Sequence, residues 1–114
     1  MSDPTNHLGL ILIDFQECFL KAMPERERLL KRTTFALKAA ELLEVAVAAT
    51  EQLPAKLGHT SEALSGVWSP NTPVFEKSAF SAFDAVGLDR WIEANQIDHL
   101  LIAGIETSIF VYQT

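Results

Sequence analysis

Short apolar runs, each bounded by a glycine, a proline or a charged residue, dominate the hydrophobic pattern of this chain. Leu8–Ile13 is a continuous apolar run that ends at Asp14, and 45–49 and 100–103 have the same character. The stretch 74–76 is a shorter candidate of the same kind. Such runs are too short for helices and are typical of strands buried in a parallel sheet. The sequence therefore predicts strands at these positions.

Two longer segments have the spacing of amphipathic helices. Between Pro24 and Glu44, apolar residues recur on one helical face, opposite basic residues. Pro24 and the acidic residues that follow it are typical of a helix N-terminus. A second apolar stripe begins at Leu88 and closes near Asn95. The intervening stretch 50–73 is rich in proline and glycine, so it is predicted to be mostly loop.

Gly104 ends the last apolar run, and Thr107 and Ser108 follow it as residues that favour helix N-caps. We expect a tight turn here that opens a third helix, with Ser108 as a cap rather than a nucleophile. The alternation of strands and helices predicts an α/β fold with a parallel, Rossmann-like sheet and right-handed crossovers. We expect one domain over 8–114, preceded by a disordered lead-in at 1–7.

Composition narrows the possible partners and the compartment. The 114 residues are 48% hydrophobic and carry a formal net charge of −6, which argues against a nucleic acid or an anionic membrane as partner. Cys18 is the sole cysteine, so no internal disulfide and no zinc cluster can form, as suits a reducing cytoplasm. No apolar run has membrane-spanning length, and the N-terminus lacks a signal-peptide pattern, so we expect a cytoplasmic protein.

Three features stand at the carboxyl ends of predicted strands, where open parallel sheets bind their ligands. They are Asp14, Lys77 and the turn after Gly104. A carboxylate and an ammonium that converge there can serve as a general acid/base pair. Spacing alone equally allows Asp14 to cap the next element and Lys77 to be a solvated loop lysine.

Five sequence motifs together resemble the isochorismatase-like cysteine hydrolases, in the right order and over nearly the whole chain. They are Ile-Leu-Ile-Asp-Phe-Gln at 11–16, Thr-Glu-Gln-Leu-Pro at 50–54, Phe-Glu-Lys-Ser-Ala-Phe at 75–80, Gly-Ile-Glu-Thr at 104–107 and Val-Tyr-Gln-Thr at 111–114. The resemblance implies a three-layer α/β/α sandwich that assembles as a dimer or tetramer. It also implies hydrolysis of a small amide-like C–N bond through a Cys-Asp-Lys triad and a thioester-type intermediate.

Position by position, the resemblance assigns Asp14 as the general base and Lys77 as the lysine that holds aspartate and thiolate together. It assigns a non-proline cis peptide between Ile105 and Glu106, whose N–H would form an oxyanion hole. The nucleophile position is occupied by Phe110. A phenyl ring has no lone pair with which to attack a carbonyl, so this chain lacks the family nucleophile.

The same resemblance bears on whether the chain binds a metal and on which residues line the pocket. Some relatives bind a metal through an aspartate and several histidines after the second strand, but this loop has one histidine, His59. We therefore predict neither a metal nor another cofactor, and we interpret Cys18 as structural. The expected pocket residues are Phe15, Gln16, Leu53, Leu57, Trp68 and Phe80. The sequence equally allows Leu53, Leu57 and Trp68 to be residues that only pack the loop.

The chain also departs from the family pattern in its length, because members of the family continue beyond the nucleophile position with more strands and helices. We expect this chain to be a C-terminally incomplete domain, which would leave 100–103 as an exposed edge that the rest of the domain or a partner subunit covers. Three functions stay open. They are the family C–N hydrolysis, a cysteine-independent vinyl-ether hydrolysis with Asp14 as acid, and an inactive binding or scaffold subunit in which Phe110 plugs the pocket.

Overall fold

The structure, a computed structural model, describes residues 7–77, 87–104 and 110–113. Within these residues, five strands form one sheet in the order β3-β2-β1-β4-β5. The strands are β1 (Leu8–Ile13), β2 (Ala46–Gln52), β3 (Val74–Lys77), β4 (His99–Gly104) and β5 (Phe110–Gln113). The first four are mutually parallel, and β5 is antiparallel to β4.

The helices of the described residues connect these strands. They are α1 (Glu17–Leu20), α2 (Arg26–Leu42), α3 (Pro54–Leu57), α4 (Glu62–Ser65) and α5 (Leu88–Ala94). The strand at Leu8–Ile13 is confirmed at both ends. The first predicted helix is confirmed but begins at Arg26, after Pro24. Residues 50–73 were predicted to be mostly loop. They include the end of β2, which extends to Gln52, and the short helices α3 and α4.

Apolar side chains on the two faces of the sheet form two cores. Leu10 and Leu12 pack towards the face that α2 and α4 cover, whereas Ile11 packs towards the face that α5 covers. Period-two alternation along a strand produces this division. Helices on both faces of a largely parallel sheet confirm the predicted α/β class, and β1 is buried at its centre.

The prediction of a helix after Gly104 is wrong over the described residues, because Phe110–Gln113 forms β5. The register places Ile102 of β4 opposite Phe110. Unpaired backbone groups along the edge of β4 favour a returning strand, and aromatic and β-branched residues suit one. The edge that was expected to be exposed is therefore paired. The expected cis peptide between Ile105 and Glu106 lies outside the described residues, as do residues 1–6 of the lead-in predicted over 1–7.

The loop after β2 is held by Glu51, a carboxylate that is only 5% exposed. Its Oε2 accepts hydrogen bonds from the backbone N–H of Thr60 at 2.7 Å and from the Thr60 hydroxyl at 2.8 Å. Its Oε1 lies 2.9 Å from Nδ1 of His59, an exposed ring. Burial raises the pKa of Glu51, but the hydrogen bonds from His59 and Thr60 outweigh it and lower that pKa overall. The same carboxylate raises the pKa of His59.

These shifts predict how the stability of this loop depends on pH. The lowered pKa of Glu51 contributes stability above its unfolded value of 4.5, and that contribution is lost as pH falls through the folded pKa. The raised pKa of His59 contributes stability below its unfolded value of 6.5, and that contribution is lost as pH rises through the folded pKa. We expect His59→Ala to lower the free energy of unfolding at about pH 5.5 and much less at about pH 9. Urea denaturation of both proteins at the two pH values measures this, and an equal loss at both would contradict it.

Candidate functional site

Asp14 follows β1 in a left-handed conformation with φ of 57°. This conformation is uncommon for a non-glycine residue. The backbone N–H of Asp14 donates to the Thr50 carbonyl oxygen at 3.2 Å, which ties it to β2. Regular alternation would direct residue 14 to the same face as Leu10 and Leu12. The left-handed turn breaks the alternation and lets the carboxylate reach groups on the opposite, α5-covered face.

Two polar side chains on that face contact the carboxylate of Asp14. The Thr50 hydroxyl donates to Oδ1 at 3.1 Å, and Nζ of Lys77 lies 2.9 Å from Oδ2. The Lys77 side chain is 1% exposed and that of Asp14 is 21% exposed. The ammonium is therefore sealed inside the protein, whereas the carboxylate remains accessible to a small molecule.

The register of the sheet explains how Lys77 reaches Asp14. Lys77 is the last residue of β3, and β2 lies between β3 and β1. Ile13 pairs with Thr50 and Gln52 pairs with Lys77. The long lysine side chain crosses the end of β2 to reach the end of β1. A buried ammonium is tolerated when it is paired, and Asp14 supplies the pairing charge.

Gln16, one of the predicted pocket residues, ties two loops together. It is completely buried. Its Oε1 accepts from the backbone N–H of Gln52 at 2.7 Å, and its Nε2 donates to the carbonyl oxygens of Gln52 and Gly58. Leu53 follows with φ of 41°, and its N–H donates to the Lys77 carbonyl oxygen. The segment after β1 is thus fixed to the segment after β2, directly beside the ion pair.

The other predicted pocket residues have different surroundings. Phe15 is buried in the α2-side core, and Trp68 packs against the same core. Leu57 is half-buried at the end of α3, and Leu53 is 38% exposed. Phe80 lies outside the described residues. Cys18, in α1, is partly exposed.

The structure brings Asp14 and Lys77 together but leaves the backbone of Phe110 apart from them. Phe110 pairs with Ile102, whereas Gly104 is the β4 residue level with Ile13. Two strand spacings of about 4.8 Å, or roughly 10 Å of sheet, separate β5 from β1. In this arrangement residue 110 is not adjacent to the ion pair.

Sequence reasoning missed Thr50 and Gln52 as side chains of the site. It ended the second strand at residue 49, whereas β2 continues to Gln52. Gln52 shares its face with Thr50 and Lys77, and its Oε1 is buried without a hydrogen-bond partner among the described residues. A period-two reading of Thr-Glu-Gln could have found them, because threonine favours strands and alternate polar residues mark one face.

The arrangement can position and transfer a proton at the carboxylate of Asp14, beside a fixed positive charge. Across 7–77 and 87–104, the structure gathers no group of three or more His, Cys, Asp or Glu side chains that could hold a metal ion. Among the described residues, no helix is both long and apolar enough to cross a membrane.

Comparison with known proteins gives related sequences and structures. An "Isochorismatase family protein 1B" from Dictyostelium discoideum is 30% identical over 110 residues, which cover 93% of this chain and 53% of the relative. The structure of the MAR1 ribonuclease from Caenorhabditis elegans superposes with a TM-score of 0.78 at 25% identity, covering 93% of this chain and 54% of that one. An isochorismatase from Pseudomonas putida superposes with a TM-score of 0.77 at 19% identity, covering 92% and 59%.

The chain therefore spans about half the length of the relatives that it matches. The likeness to the Pseudomonas putida protein shows the fold alone, in agreement with the predicted isochorismatase-like α/β architecture. A sequence model of the Isochorismatase domain matches residues 9–114. This match covers nearly all of the chain and agrees with the motif resemblance, and the chain belongs to the isochorismatase family.

Proposed function

We propose that Asp14 and Lys77 form the proton-transfer centre of a hydrolase that acts on a small molecule. The observation that carries the proposal is the 2.9 Å contact between a sealed ammonium and an accessible carboxylate at the ends of β3 and β1. Ligands of open parallel sheets bind at this rim. Membership of a family of hydrolases gives the reaction class.

The contacts of Asp14 favour a role as base. Its two oxygens are oriented by the Thr50 hydroxyl and the Lys77 ammonium. A carboxylate held in this way is ready to accept a proton from an attacking group that reaches its open side. Lys77 stabilises negative charge there, and a fixed ammonium away from water does so more strongly than one in solvent.

The proposed bond is an amide-like C–N bond, as the motif resemblance implies. Asp14 would take a proton from the attacking group as that group adds to the carbonyl carbon. The same proton would pass to the leaving nitrogen as the C–N bond breaks, which returns the carboxylate to its starting state. Because Phe110 cannot be the attacking group, we propose that a water activated by Asp14 takes that role in this chain.

Vinyl-ether hydrolysis with Asp14 as the acid is a second candidate, favoured by the lack of a thiol at position 110, whereas the bulk of Phe110 at a position that this chemistry needs open counts against it. In that reaction a carboxylic acid donates a proton to the vinyl carbon, and water adds to the resulting cation and returns a proton to the carboxylate. The C–O bond then breaks as the proton of the new hydroxyl passes to the leaving oxygen. It needs no thiol. The net charge of −6 disfavours an RNA substrate, which argues against the ribonuclease activity named for the Caenorhabditis elegans relative.

Substitutions in the ion pair test the proposal. We expect Asp14→Asn and Lys77→Met each to lower kcat/KM by about 10²-fold or more, the usual contribution of a positioned general acid or base. Hydrolysis of a panel of small primary amides and enol ethers, followed by product mass, measures this. The exposed residues Asp89 and Lys56 offer matched controls, Asp89→Asn and Lys56→Met, which should retain wild-type rates.

The outcomes of that assay are distinct. Loss of amide hydrolysis in both ion-pair variants supports the C–N reaction, and loss confined to enol ethers supports the second candidate. Wild-type rates in Asp14→Asn would overturn both. Binding of panel members without turnover by the wild type would instead identify a non-catalytic subunit.

The sole cysteine allows a test of whether the reaction is independent of thiols. We expect Cys18→Ser to retain activity within about twofold, and iodoacetamide to leave the wild-type rate unchanged, because α1 is not at the nucleophile position. Steady-state rates before and after alkylation measure this. A reaction that stops in both cases would make Cys18 the nucleophile and would contradict attack by water.

A further inference from the structure

Gln52 is the last residue of β2, on the face of the sheet that carries the ion pair. β2 lies between β1 and β3, and Gln52 pairs in register with Lys77 at the end of β3. Neighbouring strands are about 4.8 Å apart, so the backbones of Gln52 and Lys77 are close. Thr50, which donates to Asp14, precedes Gln52 by two residues on the same face. Gln52 therefore lies at the rim, between the strands that supply the carboxylate and the ammonium.

The backbone of Gln52 is fixed by its neighbours. Its N–H donates to Oε1 of Gln16 at 2.7 Å, and its carbonyl oxygen accepts from Nε2 of Gln16 at 3.0 Å. The next residue, Leu53, has φ of 41° and donates its N–H to the Lys77 carbonyl oxygen. Because these hydrogen bonds use main-chain atoms of Gln52, a substitution of its side chain leaves the donors and acceptors in place.

The side-chain carbonyl oxygen of Gln52 is the unusual atom of this rim. The residue is 8% exposed, and its Oε1 is buried without a hydrogen-bond partner in the part of the chain that the structure describes. Buried side-chain oxygens are paired in the large majority of cases, so an exception calls for an explanation. An amide oxygen can only accept a hydrogen bond. The group that would satisfy it is therefore a donor, either an N–H or an O–H.

We propose that Oε1 of Gln52 accepts an N–H of the bound substrate, so that the site takes primary carboxamides and rejects esters and N,N-dialkyl amides. This inference rests on the proposed function, in which the leaving atom is a nitrogen beside Asp14. The terminal torsion of a glutamine side chain is soft, so the amide of Gln52 can turn towards a ligand while its backbone stays fixed. An N–H held by Gln52 keeps the leaving nitrogen close to the carboxylate that returns its proton.

The chemistry of the rim selects a neutral amide as the donor. Asp14 and Lys77 already neutralise each other, so the rim has no unpaired charge of theirs to offer a charged ligand. A ligand carboxylate, in addition, has no hydrogen to donate to Gln52. A primary carboxamide is neutral and supplies the donor. A site that hydrogen-bonds a substrate N–H rejects analogues without it, because the buried oxygen of the site then stays unpaired.

Equilibrium binding tests the inference without relying on turnover. The probes are acetamide, isobutyramide and benzamide, each compared with its N,N-dimethyl amide and its methyl ester in ligand-observed NMR titrations that are read before products accumulate. Gln52→Met removes the side-chain amide and keeps the length of the side chain. We expect it to raise the dissociation constants of the primary amides about tenfold and to leave those of the other probes within about twofold. Gln96→Met, the same substitution at an exposed position before β4, should change none of them.

Urea denaturation checks that the effect belongs to the ligand and not to the fold. Gln52→Met should unfold at the same urea concentration as the wild type or at a higher one, because Oε1 has no hydrogen bond to lose among the described residues. A lower urea midpoint would mean that this oxygen is paired within the protein, and would overturn the inference.

The binding outcomes separate this inference from the proposed function. Weaker binding of primary amides alone supports the role of Gln52 whether or not the amides are hydrolysed, whereas wild-type rates in Asp14→Asn overturn the proton-transfer role alone. Equal weakening of amides, dimethyl amides and esters would mean that Gln52 shapes the site without accepting an N–H. That result would overturn the inference, as would binding that Gln52→Met leaves unchanged or a wild type that binds no primary amide.

Discussion

The ion pair between Asp14 and Lys77 is the contact on which the rest of the rim depends. It joins the ends of two strands that are not neighbours, so it forms only if β1, β2 and β3 keep their register. A slip of one residue in β3 would turn Lys77 to the other face of the sheet. Removing a lysine from water costs several kcal/mol, and a pairing of this kind rarely repays the whole cost. This balance favours a functional reason for the pair.

The surrounding segments hold the pair in place. Asp14 adopts a left-handed conformation, which costs of order 1–3 kcal/mol and persists where neighbours fix it. Those neighbours are the Thr50 carbonyl and hydroxyl groups, and the Gln16 amide that joins the next segment to Gln52. Glu51, on the other face of β2, anchors the loop at Thr60. The polar end of β2 therefore organises both sides of the rim.

Sequence reasoning predicted the parallel strands and the long helices well, since apolar runs and a helical stripe carry strong periodic signals. It singled out Asp14 and Lys77 because both follow strand-like runs, and the ends of parallel strands converge. It missed Thr50 and Gln52, whose alternation lies in a stretch that proline and glycine made look like loop. It was wrong about Phe110, because local capping residues suggested a helix, whereas pairing with the open edge of β4 is a tertiary effect. The burial of Gln16 depends on two distant loops and has no local signal.

A double-mutant cycle on Asp14 and Lys77 tests the central claim most directly. The free energy of unfolding is measured by urea denaturation for the wild type, Asp14→Asn, Lys77→Met and the double variant at neutral pH. Direct pairing predicts a coupling free energy of about 1–3 kcal/mol between the two substitutions. Effects that add to within about 0.5 kcal/mol would mean that the carboxylate and the ammonium act independently, and the proposed proton-transfer centre would lose its physical basis.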